Sequence, residues 1–238
     1  MKEAGNAMHF RPLSISATIV TMSLTIHQID VGGFDDNFSY LIANTHTKEA
    51  FVIDPSGDFL KVAAQVEAFN YTVVGILITH THFDHIDKLD VALKEYAVPI
   101  YVHTKGVLEL QKYGDVRAIE DSSVLTLGRE NIKVIYTPGH IDDAVCFYIE
   151  AASTPNNTPL VITGDTLFVG GCGRTNELRV KDLYESLAEL SALPEETVVF
   201  PGHDYGDTST STIGYEKAHN KYYLVGNFNE FKKIRLGV

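Results

Sequence analysis

The segment "THTHFDH", residues 79–85, concentrates side chains that bind metal ions. It holds three of the ten histidines in the chain, His80, His82 and His85, together with the carboxylate of Asp84. Imidazole and carboxylate ligands without thiolate are typical of Zn²⁺, Fe²⁺ or Mn²⁺ at catalytic sites, rather than of closed structural zinc sites. A chance cluster on a surface loop would stand alone, whereas a metal site needs matching ligands from other parts of the chain.

Three further ligand-type side chains follow predicted strands. His140 comes after "KVIYTPG", Asp165 after "PLVITG" and His203 after "TVVFPG". A single histidine behind a strand is more often a surface or hydrogen-bonded residue than a ligand. Four strands that each end in such a side chain favour a shared site, because strand ends on one edge of a sheet lie close together.

The spacing inside the segment predicts two ions. Residues i and i+2 of an extended chain point the same way, so His80 and His82 are expected to share one ion. Asp84 and His85 come where the chain turns into a helix starting near Ile86, so they face another direction and suit a second ion. A carboxylate such as Asp165 can bridge the two. We therefore expect two divalent ions, with zinc first and iron or manganese as alternatives; ions about 3.5–4 Å apart can hold a hydroxide.

Short apolar runs separated by turn signals predict strands that alternate with helices. Strands are predicted at residues 25–31, 38–43, 50–54, 72–79, 98–103, 132–137, 144–150, 159–164 and 197–200. Helices are predicted at 58–69, 86–97 and 180–193, with another that starts near Thr212. This order favours sheets inside and helices outside.

Composition narrows the possible partners. The chain has 238 residues and a net charge of −12, which disfavours general binding to nucleic acid or to an anionic membrane surface. Two cysteines form no disulfide framework, so we expect a reducing, cytoplasmic location. Residues 1–22 are interpreted as an N-terminal extension, with an organellar leader as the alternative, and residues 23–238 as one domain.

The motifs "THTHFDH", "TPGH", "ITGDTLF" and "FPGHDY" resemble, in order, those of the metallo-β-lactamase superfamily. "GDTLFVGGCGR" is similar to the branch of hydroxyacylglutathione hydrolases (glyoxalase II) and persulfide dioxygenases. The resemblance implies an α+β fold, the αββα four-layer sandwich, with metals at one edge. It also implies a first ligand group of His80, His82 and His140, a second of Asp84, His85 and His203, and Asp165 as the bridge.

The resemblance also implies substrate contacts. Arg174 matches a basic residue, and Tyr205 a tyrosine, that hold the glutathione tail in the hydrolases. Asn176 stands where those enzymes have an aromatic residue. Three basic residues near the C-terminus match either a remnant of a longer basic region or a solvated helix end, and we expect the helix end: Lys232, Lys233 and Arg235.

The leading hypothesis is a hydrolase of S-2-hydroxyacylglutathione or related thioesters, in which a hydroxide held by the metals attacks the carbonyl. Asp84 would both bind metal and orient the hydroxide. One alternative is a dioxygenase acting on glutathione persulfide with a single iron held by His80, His140 and Asp165. Another is a binding protein without catalytic activity. The expected partner is a small molecule, and the sequence carries no signature of oligomeric state.

Overall fold

The computed structural model describes residues 23–237. The predicted extension, residues 1–22, lies outside the described residues. Fourteen strands fall within them: β1 (Leu24–Gly32), β2 (Asn37–Asn44), β3 (Glu49–Ile53), β4 (Thr72–Leu77), β5 (Ile100–His103), β6 (Val116–Ile119), β7 (Val124–Leu127), β8 (Glu130–Tyr136), β9 (Val145–Ile149), β10 (Leu160–Gly164), β11 (Leu167–Phe168), β12 (Gly171–Cys172), β13 (Val198–Pro201) and β14 (Ser211–Thr212).

Seven α-helices accompany these strands. They are α1 (Phe59–Ala68), α2 (Phe83–Ile86), α3 (Leu89–Tyr96), α4 (Val107–Leu110), α5 (Val180–Ser191), α6 (Ile213–His219) and α7 (Phe228–Leu236). None of the helices in residues 23–237 is long and apolar enough to cross a membrane.

Two six-stranded mixed sheets form the centre of the fold. The first runs β1-β2-β3-β4-β5-β6, antiparallel up to β3 and parallel from there on. The second runs β14-β13-β10-β9-β8-β7, and only the β10–β13 pair is parallel. The strands β11 and β12 form a small separate hairpin.

Alternating apolar side chains build three hydrophobic layers. In β3, Phe51 packs between the two sheets, whereas Val52 packs against the helices outside the first sheet. In β9, Phe147 faces the same inter-sheet layer, and Cys146 faces the helices outside the second sheet. Because both faces of these strands are covered, their sequences are continuous runs of apolar residues. The layers follow the order helix, sheet, sheet, helix, and the predicted αββα sandwich is confirmed.

The helix predicted at residues 86–97 is present, but its start near Ile86 was predicted wrongly. The chain instead forms the short helix α2, breaks at Asp87 and Lys88, and resumes as α3. The break is anchored from the loop after β3: Lys88 N donates to the Pro55 carbonyl oxygen at 3.1 Å, and Gly57 N donates to Asp87 Oδ1 at 3.0 Å. Asp84 and His85 therefore lie in a helical turn, not ahead of the helix.

Candidate metal centre

The seven predicted ligands lie in loops and turns that follow β4, β8, β10 and β13. The expectation of a single sheet edge is wrong in one respect, because β4 belongs to the first sheet and the other three to the second. Backbone hydrogen bonds join the two edges: Val145 N donates to Thr79 O at 2.8 Å, and Phe38 N to Gly202 O at 2.9 Å. The site therefore lies where the two sheets meet.

One group of ligand atoms comes from His80, His82 and His140. His82 Nδ1 lies 3.1 Å from His80 Nε2 and 2.8 Å from His140 Nε2. This is the first group implied by the resemblance.

A second group comes from Asp84, His85 and His203. Asp84 Oδ2 lies 3.5 Å from His85 Nε2 and 3.4 Å from His203 Nε2, and the two imidazole nitrogens are 3.3 Å apart. Asn37 Nδ2 donates to the same Asp84 oxygen at 2.9 Å. The carboxylate is thus held toward the two histidines.

Asp165 lies between the two groups and turns one oxygen to each. Its Oδ1 is 3.1 Å from His203 Nε2 and 3.3 Å from His85 Nε2. Its Oδ2 is 3.4 Å from His140 Nε2 and 4.0 Å from His80 Nε2. One carboxylate can therefore serve both groups.

Partners on the far side of the rings orient four of the histidines. His140 Nδ1 donates to Arg174 O at 2.8 Å, and His203 Nδ1 donates to Asp35 O at 2.6 Å. His85 Nδ1 lies 2.9 Å from Asp54 Oδ2, and His80 Nδ1 lies 3.1 Å from Thr79 Oγ1. Because Nδ1 of each ring contacts one of these partners, Nε2 is the nitrogen that faces the other ligand atoms. Metal-binding histidines usually have a partner of this kind on the nitrogen that does not bind the metal.

Burial and charge set the protonation of the first group and of the bridge. Burial lowers the pKa of His80 well below its usual value, and it also lowers the pKa of His82 and of His140. These imidazoles are therefore neutral at neutral pH, as metal ligands must be. Burial alone would raise the pKa of Asp165, but nearby His85 and His203 outweigh it and hold the pKa well below its usual range.

The donor set fits divalent cations. Within the described residues, Asp165 Oδ1 is buried and accepts no hydrogen bond. In the first group, His82 Nδ1 faces His80 Nε2 at 3.1 Å and His140 Nε2 at 2.8 Å. Ligands about 2.0–2.1 Å from a tetrahedral zinc ion are roughly 3.3 Å apart. The atoms of the second group lie 3.3–3.5 Å apart, and those of the first group lie somewhat closer together. A cation in each group would compensate lone pairs that otherwise repel, so the site is suited to a divalent metal.

Positive side chains line the cleft beside the two groups, in a chain whose net charge is −12. The cleft has a volume of about 780 Å³. The basic residues on its wall are Arg174, Arg179, Lys221 and Arg235. They supply locally the attraction for an anion that the chain lacks as a whole.

The two residues predicted to contact substrate, Arg174 and Tyr205, both line the cleft, but they differ in how accessible their polar groups are. Arg174 is exposed there. The Tyr205 hydroxyl instead donates to Asp35 Oδ2, and its ring stacks on His203 with centroids 4.7 Å apart. Asn176 stands where the hydrolases have an aromatic residue. Its side-chain oxygen accepts hydrogen bonds from Leu178 N and Arg179 N at 3.0 and 3.2 Å. Its side chain therefore shapes the turn before α5.

The expectation of a solvated helix end near the C-terminus is wrong for Arg235. Its Nε donates to Gly173 O at 2.7 Å, and its guanidinium lies 5.7 Å from the centre of the Tyr222 ring. Lys232 pairs with Glu177 at 2.6 Å outside the cleft wall, and Lys233 is exposed as expected. The amphipathic pattern of α7 could have suggested that one basic residue faces inward.

Asp54 is a site residue that sequence reasoning missed. It is buried, and it accepts hydrogen bonds from Thr79 N at 2.8 Å and Thr79 Oγ1 at 2.5 Å, besides its contact with His85. The available signal was an acidic residue at the end of the apolar run "AFVID". A carboxylate at a buried strand end needs compensating partners, and these are often at a functional site.

Comparisons with known proteins agree with this architecture. A family model described as the metallo-beta-lactamase superfamily matches residues 32–203. The hydroxyacylglutathione hydrolase named as cytoplasmic from Arabidopsis thaliana is 38% identical over 172 residues, which are 71% of this chain and 64% of that protein. Across five curated proteins named hydroxyacylglutathione hydrolase, identity is 30–38%, and the match spans 62–73% of their lengths. More than a quarter of each relative thus lies beyond the match.

Solved structures are similar over most of this chain. ETHE1 from Myxococcus xanthus is 28% identical with a TM-score of 0.76, covering 90% of this chain and 92% of that one. TTHA1623, solved in a di-iron-bound form, is 26% identical with a TM-score of 0.64, covering 82% and 99%. The family match, the layered fold and the resemblance of the motifs agree, and the chain belongs to the metallo-β-lactamase superfamily.

Proposed function

We propose that this chain is a metal-dependent thioester hydrolase that acts on S-2-hydroxyacylglutathione or a related thioester. The observation that carries the proposal is the position of Asp165 between two histidine groups, at the floor of a cleft with a basic wall. The names of the curated relatives, hydroxyacylglutathione hydrolases, supply the substrate class.

The proposed centre holds two divalent ions, with zinc as the first choice and iron or manganese as alternatives. His80, His82 and His140 would bind one ion, and Asp84, His85 and His203 the other, with Asp165 between them. When bound, such ions make hydroxide available at neutral pH and polarise the thioester carbonyl. The di-iron form of TTHA1623 supports the count of two.

The side chains of this chain would position the substrate and the nucleophile. Asp84 and Asp165 both line the cleft, and the Asp84 side chain is 26% exposed against 10% for Asp165, so Asp84 is the more accessible of the two. We assign it the orientation of the attacking oxygen. Arg174 and Arg235 would attract the anionic glutathione tail and leave the acyl carbonyl over the metal groups.

We also propose a reducing compartment such as the cytoplasm. Both cysteines of the chain, Cys146 and Cys172, are unpaired and buried, which is typical of a chain that folds without disulfides.

The second candidate is a mononuclear iron dioxygenase acting on glutathione persulfide. His80, His140 and Asp165 lie close enough to form a two-histidine, one-carboxylate triad, because Asp165 Oδ2 is within 4.0 Å of both ring nitrogens.

Metal content and oxygen consumption separate the two functions. The protein is purified without added metal, its metals are measured by plasma emission, and oxygen uptake is followed with glutathione persulfide. About two zinc-like ions per chain without oxygen uptake support the hydrolase. One iron per chain with oxygen consumed would replace it with the dioxygenase.

A further inference from the structure

The amide groups on either side of His80, at Thr79 and Thr81, lie past the end of β4 and donate to carboxylate side chains. β4 ends at Leu77. Thr79 N donates to Asp54 Oδ1 at 2.8 Å, and Thr81 N donates to Asp143 Oδ2 at 3.1 Å. The segment is therefore held between two carboxylates from different parts of the fold.

Asp143 is unusual because it is a buried carboxylate with few partners. It is only 3% exposed, and within the described residues its Oδ1 is buried without a hydrogen bond. A Cβ at Gly106 would lie 2.6 Å from Asp143 Oδ2, so the absence of a side chain there leaves room for the carboxylate. Burial of a charged group is unfavourable unless a specific contact compensates it. The contact with Thr81 N is the one that bears on the metal centre.

We propose that Asp143 is a positioning residue of the metal centre: by fixing the backbone at Thr81, it sets the direction of His80 and His82 relative to His140. Asp143 lies three residues after His140, so a single hydrogen bond ties together the two loops that supply the three histidines. The inference rests on the proposed ligand roles of these histidines.

The two carboxylates act in different ways. Asp54 contacts a ligand ring directly, since its Oδ2 lies 2.9 Å from His85 Nδ1. Asp143 contacts the centre through a backbone N–H. The role of Asp143 therefore requires a hydrogen-bond acceptor and not a negative charge. Asparagine at position 143 should preserve the role, and alanine should not.

The test is an equilibrium titration with zinc alone, against a competing chelator, on the full chain and its variants. We expect D143A to bind one of two zinc ions about 10- to 100-fold more weakly, the size of effect found when groups that support metal ligands are removed. The second ion should change by less than about threefold, and D143N should stay within about threefold for both ions. The matched control is D142A, because the Asp142 side chain is 62% exposed and contacts Arg179 at 3.6 Å.

Three results would overturn the proposal. If D143A folds, as judged by circular dichroism, and binds both ions like the wild type, the metal centre stands but Asp143 has no positioning role. If D143N weakens zinc binding as much as D143A does, the negative charge of Asp143, and not its role as a hydrogen-bond acceptor, supports the metal centre. Wild-type protein that binds no zinc would overturn the metal centre and this inference together. If D143A does not fold, D143L fills the space without an acceptor, and the same expectation applies to it.

Discussion

The Nε of Arg235 donates a hydrogen bond of 2.7 Å to the carbonyl oxygen of Gly173. This contact brings the last helix of the described chain to the cleft wall that also carries Arg174. The strand hairpin after Asp165 and α7 therefore build one side of the cleft together.

Replacement of Arg235 by alanine should weaken substrate binding. We expect R235A to raise KM for a glutathione thioester about tenfold with kcat little changed, because a charge-assisted contact contributes about 1.5–3 kcal/mol and solvent screening reduces it here. Steady-state kinetics measure this split. K233A is the matched control, since Lys233 lies exposed on the same helix; an equal effect of both variants would point to general charge and not to a contact in the cleft.

The bridging position of Asp165 predicts that its loss affects both metal sites. D165N should lower metal content from about two ions to well under one per chain, because each histidine group loses an anionic oxygen at 3.1–3.4 Å. Plasma emission after gel filtration measures the content. Full occupancy in D165N would show that the two groups bind metal independently of the carboxylate.

Asp54 should support the second group through His85. We expect D54A to weaken one metal site about 10- to 100-fold, because His85 Nδ1 loses the acceptor that orients its ring. The metal-free protein should also lose about 1–3 kcal/mol of unfolding free energy, since Thr79 N would be left without its acceptor. Zinc titration and urea unfolding measure the two effects separately, and a change in stability with unaltered zinc affinity would exclude the orienting role.

Replacement of Gly139, the residue before His140, should destabilise the fold more than replacement of Gly170, although both glycines have positive φ. Gly139 has φ of +134°, and a Cβ there would lie 2.2 Å from Leu183 N in α5. We expect G139A to cost more than about 3 kcal/mol of unfolding free energy, because either the backbone at position 139 or the backbone of α5 must move. Gly170 has φ of +69° with open space around it, so G170A should cost about 1–2 kcal/mol. Urea unfolding of both variants measures the difference, and equal losses would mean that the close approach to α5 is not limiting.

Features of the fold and of the candidate site that depend on local sequence pattern could be predicted from the amino-acid sequence. Short apolar runs between turn signals predicted the buried strands, and the histidines and the aspartate placed directly behind them predicted which side chains meet. The short helix α2 was missed, because four residues are about one turn and show no helical period. Its end is set by contacts from residues 55–57 to Asp87 and Lys88, which local sequence does not encode.

Contacts between distant segments account for the other errors. Arg235 was assigned to solvent because nothing near it in sequence marks Gly173 as its partner, 62 residues away. The contact between Asp143 and Thr81 likewise spans 62 residues, so local sequence did not reveal it. Asn176 was noted only as a departure from the hydrolase pattern, and that pattern did not reveal that its side chain shapes the turn before α5.

The most direct test of the account is thiol release from S-lactoylglutathione by the purified protein, before chelation, after chelation and after zinc is restored. The account predicts hydrolysis that is lost on complete removal of metal and returns in proportion to zinc, reaching its maximum at about two ions per chain. Hydrolysis that survives complete removal of metal, or no thiol release from protein loaded with two ions, would contradict it.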